Sequence, residues 1–194
     1  MRSLAALVLF ATASFAHADP KAEVYAAWDA MVAAKSYRAT LSSEAGGQTS
    51  KQTIEIVIPT HMRMSGGASG DMVVTPEGAW IRIPGQDWMA APPGTTEVSK
   101  RFLSPAFIEE AKAGVRSVQA LGEEQLAGKP VRTYQIEQVM TVMGIATESS
   151  TKLYVDVASG RPVRQEVAAT AMGRNSRTVQ DIEYVQGLEI VAPE

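Results

Sequence analysis

The sequence predicts an α+β domain built on one strongly curved antiparallel β-sheet, a half-barrel with helices packed on its concave face. Two observations carry this. Period-two runs of apolar residues, separated by turn sequences, fall into two blocks. Two helical segments with N-terminal signals stand apart from those blocks, one before the first and one between the two. A meander whose polar face meets water and whose apolar face wraps around the helices satisfies both.

Asp19-Pro20 reads as an N-cap followed by proline at the first helical position, and Val24, Trp28, Met31 and Val32 then recur at helical spacing. A helix over residues 20–35 follows, with Trp28 as its core anchor. From Tyr37 the period becomes two: Tyr37, Ala39 and Leu41 share a face. The polar stretch 42–50, with Gly46-Gly47, is read as a turn. Ile54, Ile56 and Ile58 alternate with polar or smaller neighbours, Pro59 interrupts, and Met62 and Met64 resume. Residues 66–70 form a flexible turn, Met72 and Val74 a strand, 75–78 a turn, and Ala79, Ile81 and Ile83 a further strand. Residues 84–96, with Trp88 and Pro92-Pro93-Gly94, read as a surface loop. Ser104 then caps a second helix with Pro105 at its first position, Leu103 stapled to Ile108, and Gly114 at its end.

The second block predicts strands at 115–124 and 131–138, a Val- and Met-rich stretch at 139–146, strands at 152–157, 162–168 and 177–184, and a short one at 188–191. Nothing marks a domain boundary and no repeat is present.

Residues 1–18 read as a signal peptide. Arg2 supplies a positive start, 4–15 are apolar but too short to span a bilayer, and Ala16-His17-Ala18 fits a small-x-small cleavage site. One domain, 19–194, is expected in the periplasm. Of 194 residues, 18 leave with the signal and 176 remain, enough for a sizeable core. There is no cysteine to form a disulfide or to carry a lipid anchor at the cleavage site. The full chain carries a net charge of −3, against the basic surface that nucleic-acid binding calls for. His61 is the one imidazole left after cleavage, so metal sites built from several His or Cys are excluded, and no cofactor motif is present.

Enzyme signals are poor. Ser149-Ser150-Thr151-Lys152 matches S-x-x-K without its companion motifs, and Gly67-Ala68-Ser69-Gly70-Asp71 misses G-x-S-x-G at the last position. A serine triad would have to use His61, which follows a strand bend and reads as a surface residue. Glu109-Glu110 and Glu123-Glu124 read as solvated charge pairs. No catalytic residue and no enzymatic activity are therefore expected. Arg161, Arg164, Arg174 and Arg177 read as a solvated polar face, with an anionic headgroup or partner as the rival reading.

Several segments together resemble the periplasmic lipoprotein-carrier superfamily, the LolA/LolB-like fold, and its LppX/LprG-type lipid-binding relatives. They are Ser36-Tyr37-Arg38-Ala39 after the first helix, Val73-Val74-Thr75-Pro76-Glu77-Gly78-Ala79-Trp80, Leu126-Ala127-Gly128-Lys129-Pro130-Val131, and Tyr154-Val155-Asp156 followed by Ser159-Gly160-Arg161-Pro162-Val163-Arg164. The resemblance implies a half-barrel with helices at its mouth that binds lipids or lipoprotein acyl chains in an apolar hollow. The general carrier has an arginine before the proline of its second long strand and aromatic residues at its end. Here Ile58 precedes Pro59 and the chain ends Val191-Ala192-Pro193-Glu194, which marks a divergent relative.

The expected function is non-covalent carriage of a lipid or lipoprotein acyl chain between membranes, by a monomer that meets donor and acceptor proteins in the inner or outer membrane. The alternative is a regulatory or scaffolding protein that binds a protein partner with the same fold. The expected ligand wall is Ile56, Ile58, Met62, Met64, Met72, Val74, Ile81, Ile83, Met140 and Met143, with Trp80 and Trp88 at the pocket mouth. Methionine is flexible and polarizable, so such a wall repacks around acyl chains of varied shape; it is also an ordinary core filler.

Overall fold

The computed structural model describes residues 19–67, 70–142 and 144–193. The proposed signal peptide and Met143 lie outside the described residues. Helix α1 (Pro20–Ala33) opens the domain, with the Asp19 carboxylate accepting from the Lys21 N–H at 3.0 Å. Strands β1 (Ser36–Ala45), β2 (Gln48–Val57), β3 (His61–Gly67), β4 (Gly70–Thr75), β5 (Gly78–Arg82) and β6 (Met89–Ala90) follow. Helices α2 (Thr95–Leu103) and α3 (Pro105–Ala113) come next. Strands β7 (Val115–Leu126), β8 (Lys129–Val142), β9 (Ile145–Asp156), β10 (Pro162–Ala171) and β11 (Arg174–Glu183) complete the chain.

All eleven strands form one antiparallel sheet in the order β6-β5-β4-β3-β2-β1-β11-β10-β9-β8-β7. Each block is a meander, and the two blocks join where β1 pairs with β11, Ala39 opposite Ile182. The sheet is not closed: β6 and β7 are its free edges. It is the curved α+β half-barrel that the sequence predicts.

The concave face holds the core. Val24 and Ala27 of α1 pack on Val115, Tyr134, Ile136, Leu153 and Val155. These two small residues let the helix approach the sheet. Trp28, expected as the anchor, is half-buried and stacks on Tyr25 with ring centroids 5.9 Å apart. A second cluster joins Met31 of α1 to Tyr37, Ala39, Leu41, Ile56, Ile58, Ile182 and Tyr184. Burial pushes the Tyr37 hydroxyl up to about 12, so the ring stays neutral there. Lys112 clasps α3 to α1, bonding Asp29 at 2.6 Å and Glu109 at 2.8 Å, while the Tyr25 hydroxyl donates to the Lys112 carbonyl at 2.6 Å.

Other expectations differ in detail. Among the described residues there are three helices, not two: α2 starts within the segment read as a loop. Its first turn carries Thr95 and Thr96 after Gly94 and lacks a side-chain cap, so no start signal marks it. The Ser104 hydroxyl donates back to the Arg101 carbonyl at 2.7 Å instead of capping α3. The turn placed over 42–50 shrinks to Gly46-Gly47, both at positive φ (58° and 77°), because β1 and β2 pair without a break from Ser36–Val57 to Ala45–Gln48. Residues 188–191 are not a strand, although Ile190 is buried.

Gly114, between α3 and β7, is required for space and not for conformation. Its φ is −76°, yet a Cβ there would lie 2.4 Å from the Val139 carbonyl oxygen. Gly114→Ala is expected to cost about 1–3 kcal/mol, because backbone on both sides must shift. Thermal unfolding should register this as a drop of about 2–4 °C per kcal/mol.

Candidate functional site

The left half of the sheet presents an apolar wall on its concave face. Directly opposed residues of an antiparallel ladder point the same way. The register therefore aligns Ala39, Ile54, Met64, Met72, Ile81 and Met89 in one row across β1 to β6. Tyr37, Ile56, Met62, Val74 and Ala79 form the next row. With strands about 4.8 Å apart, each row runs for about 20 Å. Val74 is fully buried; Ile54, Ile56, Met62, Met64, Met72 and Ile81 are only half-buried, and Ile83 is 42% exposed. The wall is thus a trough still open to solvent, not a sealed core.

Helix α2 lies over β4 and β5. It buries Ser99 and Leu103 while leaving Val98 and Phe102 each 38% exposed. Where α1, α2 and α3 meet the wall, a cavity of about 30 Å³ is lined by Tyr37, Ile56, Ile58, Phe102, Leu103 and Ile108, room for about one water.

Of the expected wall residues, Ile56, Met62, Met64, Met72, Val74 and Ile81 come together on one face, and Ile83 follows Ile81 at the same parity. Ile58 sits in the β2–β3 connection, where its N–H donates to the Lys35 carbonyl at 2.8 Å, and it lines the small cavity. Met140 is not brought to this group. It shares the concave side but lies on β8, beside Gly114, across β1, β11, β10 and β9. Trp80 pairs with Val73 and Ala90 and so leaves from the opposite face. Trp88 is half-buried under the Arg82 guanidinium, 4.8 Å from its ring centroid.

No family model matches the chain, and no curated protein matches it in sequence. Solved structures do match. Lipoprotein LppX from Mycobacterium tuberculosis superposes with a TM-score of 0.55 at 12% identity, covering 88% of this chain and 97% of LppX. LprF from Mycobacterium bovis gives 0.54 at 9% identity, covering 90% and 98%. The chain has an LppX-like fold.

Within this LppX-like fold a second, wider space lies apart from the apolar trough. A cleft of about 720 Å³ crosses β1, β11, β10, β9 and β8 and reaches Arg116 on β7. A cleft that crosses six neighbouring strands of a curved sheet lies inside the curve. Its floor is one register row, Ala45, Ser176, Ala169, Ser149 and Gln138, on the same side as Ile136 and Leu153. Sequence reasoning missed it, because short polar side chains on a strand carry no apolar alternation to follow.

The residues weighed for catalysis are dispersed. His61 Nδ1 meets the Thr60 hydroxyl at 2.8 Å. Ser149 and Lys152 of the S-x-x-K match alternate across the sheet: Ser149 faces the cleft, while Lys152 pairs with Glu124 at 2.9 Å on the outside. The basic residues near the chain end are partly engaged within the protein. Arg164 bonds Glu166 and Asp181, both at 3.2 Å, and Arg161 lies 5.1 Å from the Tyr184 ring centroid.

On the outer face of the wall, Arg82 Nε donates to Asp71 at 3.1 Å and the Gly66 N–H donates to the same carboxylate at 3.2 Å. The Arg82 hydrogen bonds hold the Asp71 carboxyl below the usual aspartate range, against burial, which raises it. A depressed folded value stabilises the fold above the unfolded value and is lost as pH falls through the folded one. Wild type should therefore exceed Asp71→Asn in stability at pH 7. The two should converge below about pH 4, which urea titrations at stepped pH will check.

Proposed function

We propose that the protein is an exported, periplasmic carrier that binds a lipid or lipoprotein acyl chain without covalent chemistry and moves it between membranes. The half-exposed apolar trough over β2 to β5 carries this reading. A row about 20 Å long of Ile and Met side chains, kept partly open to water, is unfavourable unless something apolar covers it. Each methylene buried there is worth about 0.8 kcal/mol. The cavity of about 30 Å³ under the helices holds no acyl chain as it stands, so loading requires α2 to move off the wall. That helix is joined through Pro92-Pro93-Gly94 and Ser104-Pro105 and packs lightly, with Val98 and Phe102 partly exposed. The LppX-like fold supports the reading at the level of architecture. Among the described residues no helix is long and apolar enough to cross a membrane.

Native mass spectrometry of protein gently purified from the periplasm tests the proposal. A bound species of lipid mass, displaced by added fatty acid, is the expected result. Cleanly empty protein that also takes up no fluorescent fatty acid would overturn it.

A second reading has one observation in its favour. β7 is a twelve-residue edge strand, exposed over most of its length. Such an edge accepts a strand from a protein partner. Recovery of a stoichiometric protein with no lipid would favour a regulator or scaffold.

A further inference from the structure

We propose that the cleft over β1 and β11 to β8 takes the headgroup of the ligand, and that this headgroup is uncharged and rich in hydroxyl or ester groups, as in an acylglycerol. The inference rests on the carrier reading and extends it to the ligand's polar end.

Volume and lining point the same way. The cleft holds about 720 Å³, against about 30 Å³ in the apolar cavity, so bulk fits the former and not the latter. The floor offers two hydroxyls, one amide and two methyl groups, from Ser149, Ser176, Gln138, Ala45 and Ala169. None is charged. Glu44, Glu137, Glu148 and Arg177 also line the cleft but belong to the alternate register, so their side chains leave from the opposite face. There the Glu137 carboxylate accepts from the Ser150 hydroxyl at 2.6 Å. Arg116 stands at the rim on the edge strand. A carboxylate or phosphate on this floor would lose water without gaining a counter-charge beneath it, which is costly. Hydroxyls and esters would meet groups of their own kind.

Cleft and trough are continuous. Tyr37, Ala39, Leu41, Ser43 and Ala45 follow one another on the concave side of β1, and Leu41 to Ala45 covers about 13 Å. The ground between is polar yet neutral: Ser43 and Thr178 hydroxyls bond at 3.0 Å, and Gln165 donates to Gln180 at 2.5 Å. One amphiphile can therefore lie with its tail along the Ile and Met rows and its polar end over the cleft floor.

Displacement of a fluorescent fatty acid from the purified protein by 1-monooleoylglycerol and by oleate tests this, since the two share a tail and differ in headgroup charge. Monooleoylglycerol should displace the probe at a concentration at least tenfold lower. Ser149→Phe and Ala169→Phe, which fill the cleft, should raise its Kd at least tenfold and leave oleate unchanged. Oleate binding as tightly as monooleoylglycerol, or variants that weaken both alike, would overturn the headgroup assignment alone. Failure of the probe and of both competitors to bind would overturn the carrier reading together with it. If either variant does not fold, the wild-type ratio decides by itself.

Discussion

Replacing Met64 and Ile81 together by glutamate is expected to abolish uptake of a fluorescent fatty acid, with affinity falling by at least a hundredfold. The two residues flank Met72 in one register row, so two carboxylates would stand about 10 Å apart on the face where the tail should lie. Covering an ionised group with hydrocarbon costs several kcal/mol unless it is paired, and two such sites leave an acyl chain no dry path along the row. Both positions are half-buried, so the free protein can keep the new charges hydrated and stay folded. Unchanged circular dichroism with uptake lost is the expected pairing of results. Glutamates at Val98 and Thr40 serve as controls, the first on α2 and the second on the outer face of β1. Uptake unaffected by Met64→Glu/Ile81→Glu would move the binding surface away from this wall.

The wall was legible in the sequence because its signal is periodic. Ile54, Ile56, Met62, Met64, Met72, Val74 and Ile81 alternate with polar or smaller neighbours, and short turns at 58–60 and 76–77 preserve the register from one strand to the next, which places them on a single face. Met140 obeys the same alternation yet belongs to the other wing, because periodicity gives a face and says nothing of position across the sheet. Trp80 illustrates the converse. Its neighbour Ile81 faces the trough, so Trp80 must face away, and counting parity from Ile81 suffices to see it. Helix α2 escaped because it has no capping side chain and follows Pro92-Pro93-Gly94, which reads as loop. The cleft was illegible for a different reason. Its space arises from the curvature of five long strands whose floor residues are merely small, and curvature is a property of the assembled sheet. The long pairings of β8 and β9 could be anticipated only in pieces, since residues 139–146 read from the sequence only as a Val- and Met-rich stretch, whereas the ladder continues to Val142 opposite Ile145.

Leu153→Ala should be the most destabilising single truncation of a side chain in the right half of the sheet, costing about 3 kcal/mol. Leu153 is fully buried on β9, opposite Tyr134 on β8 and Gln165 on β10, beneath Val24 and Ala27 of α1. The cavity left behind cannot readily collapse. Below it, three strands are fixed by their ladders. Above it, α1 is held at one end by the Tyr134 hydroxyl bonding Glu23 at 2.5 Å, and at the other by the Lys112–Asp29 pair at 2.6 Å. The urea midpoint should fall by about 1–2 M with an unchanged slope, because the surface exposed on unfolding is almost the same. Ile83→Ala, at a position 42% exposed, should move stability by less than about 0.5 kcal/mol. The comparison separates the two halves of the domain. α1 and strands β7 to β10 supply rigidity, so damage there appears as lost stability with fatty-acid affinity unchanged in the molecules that remain folded. The wing from β2 to β6 is left under-packed, and damage there should appear in binding first. A Leu153→Ala protein that keeps its stability but loses uptake would reverse that division of labour.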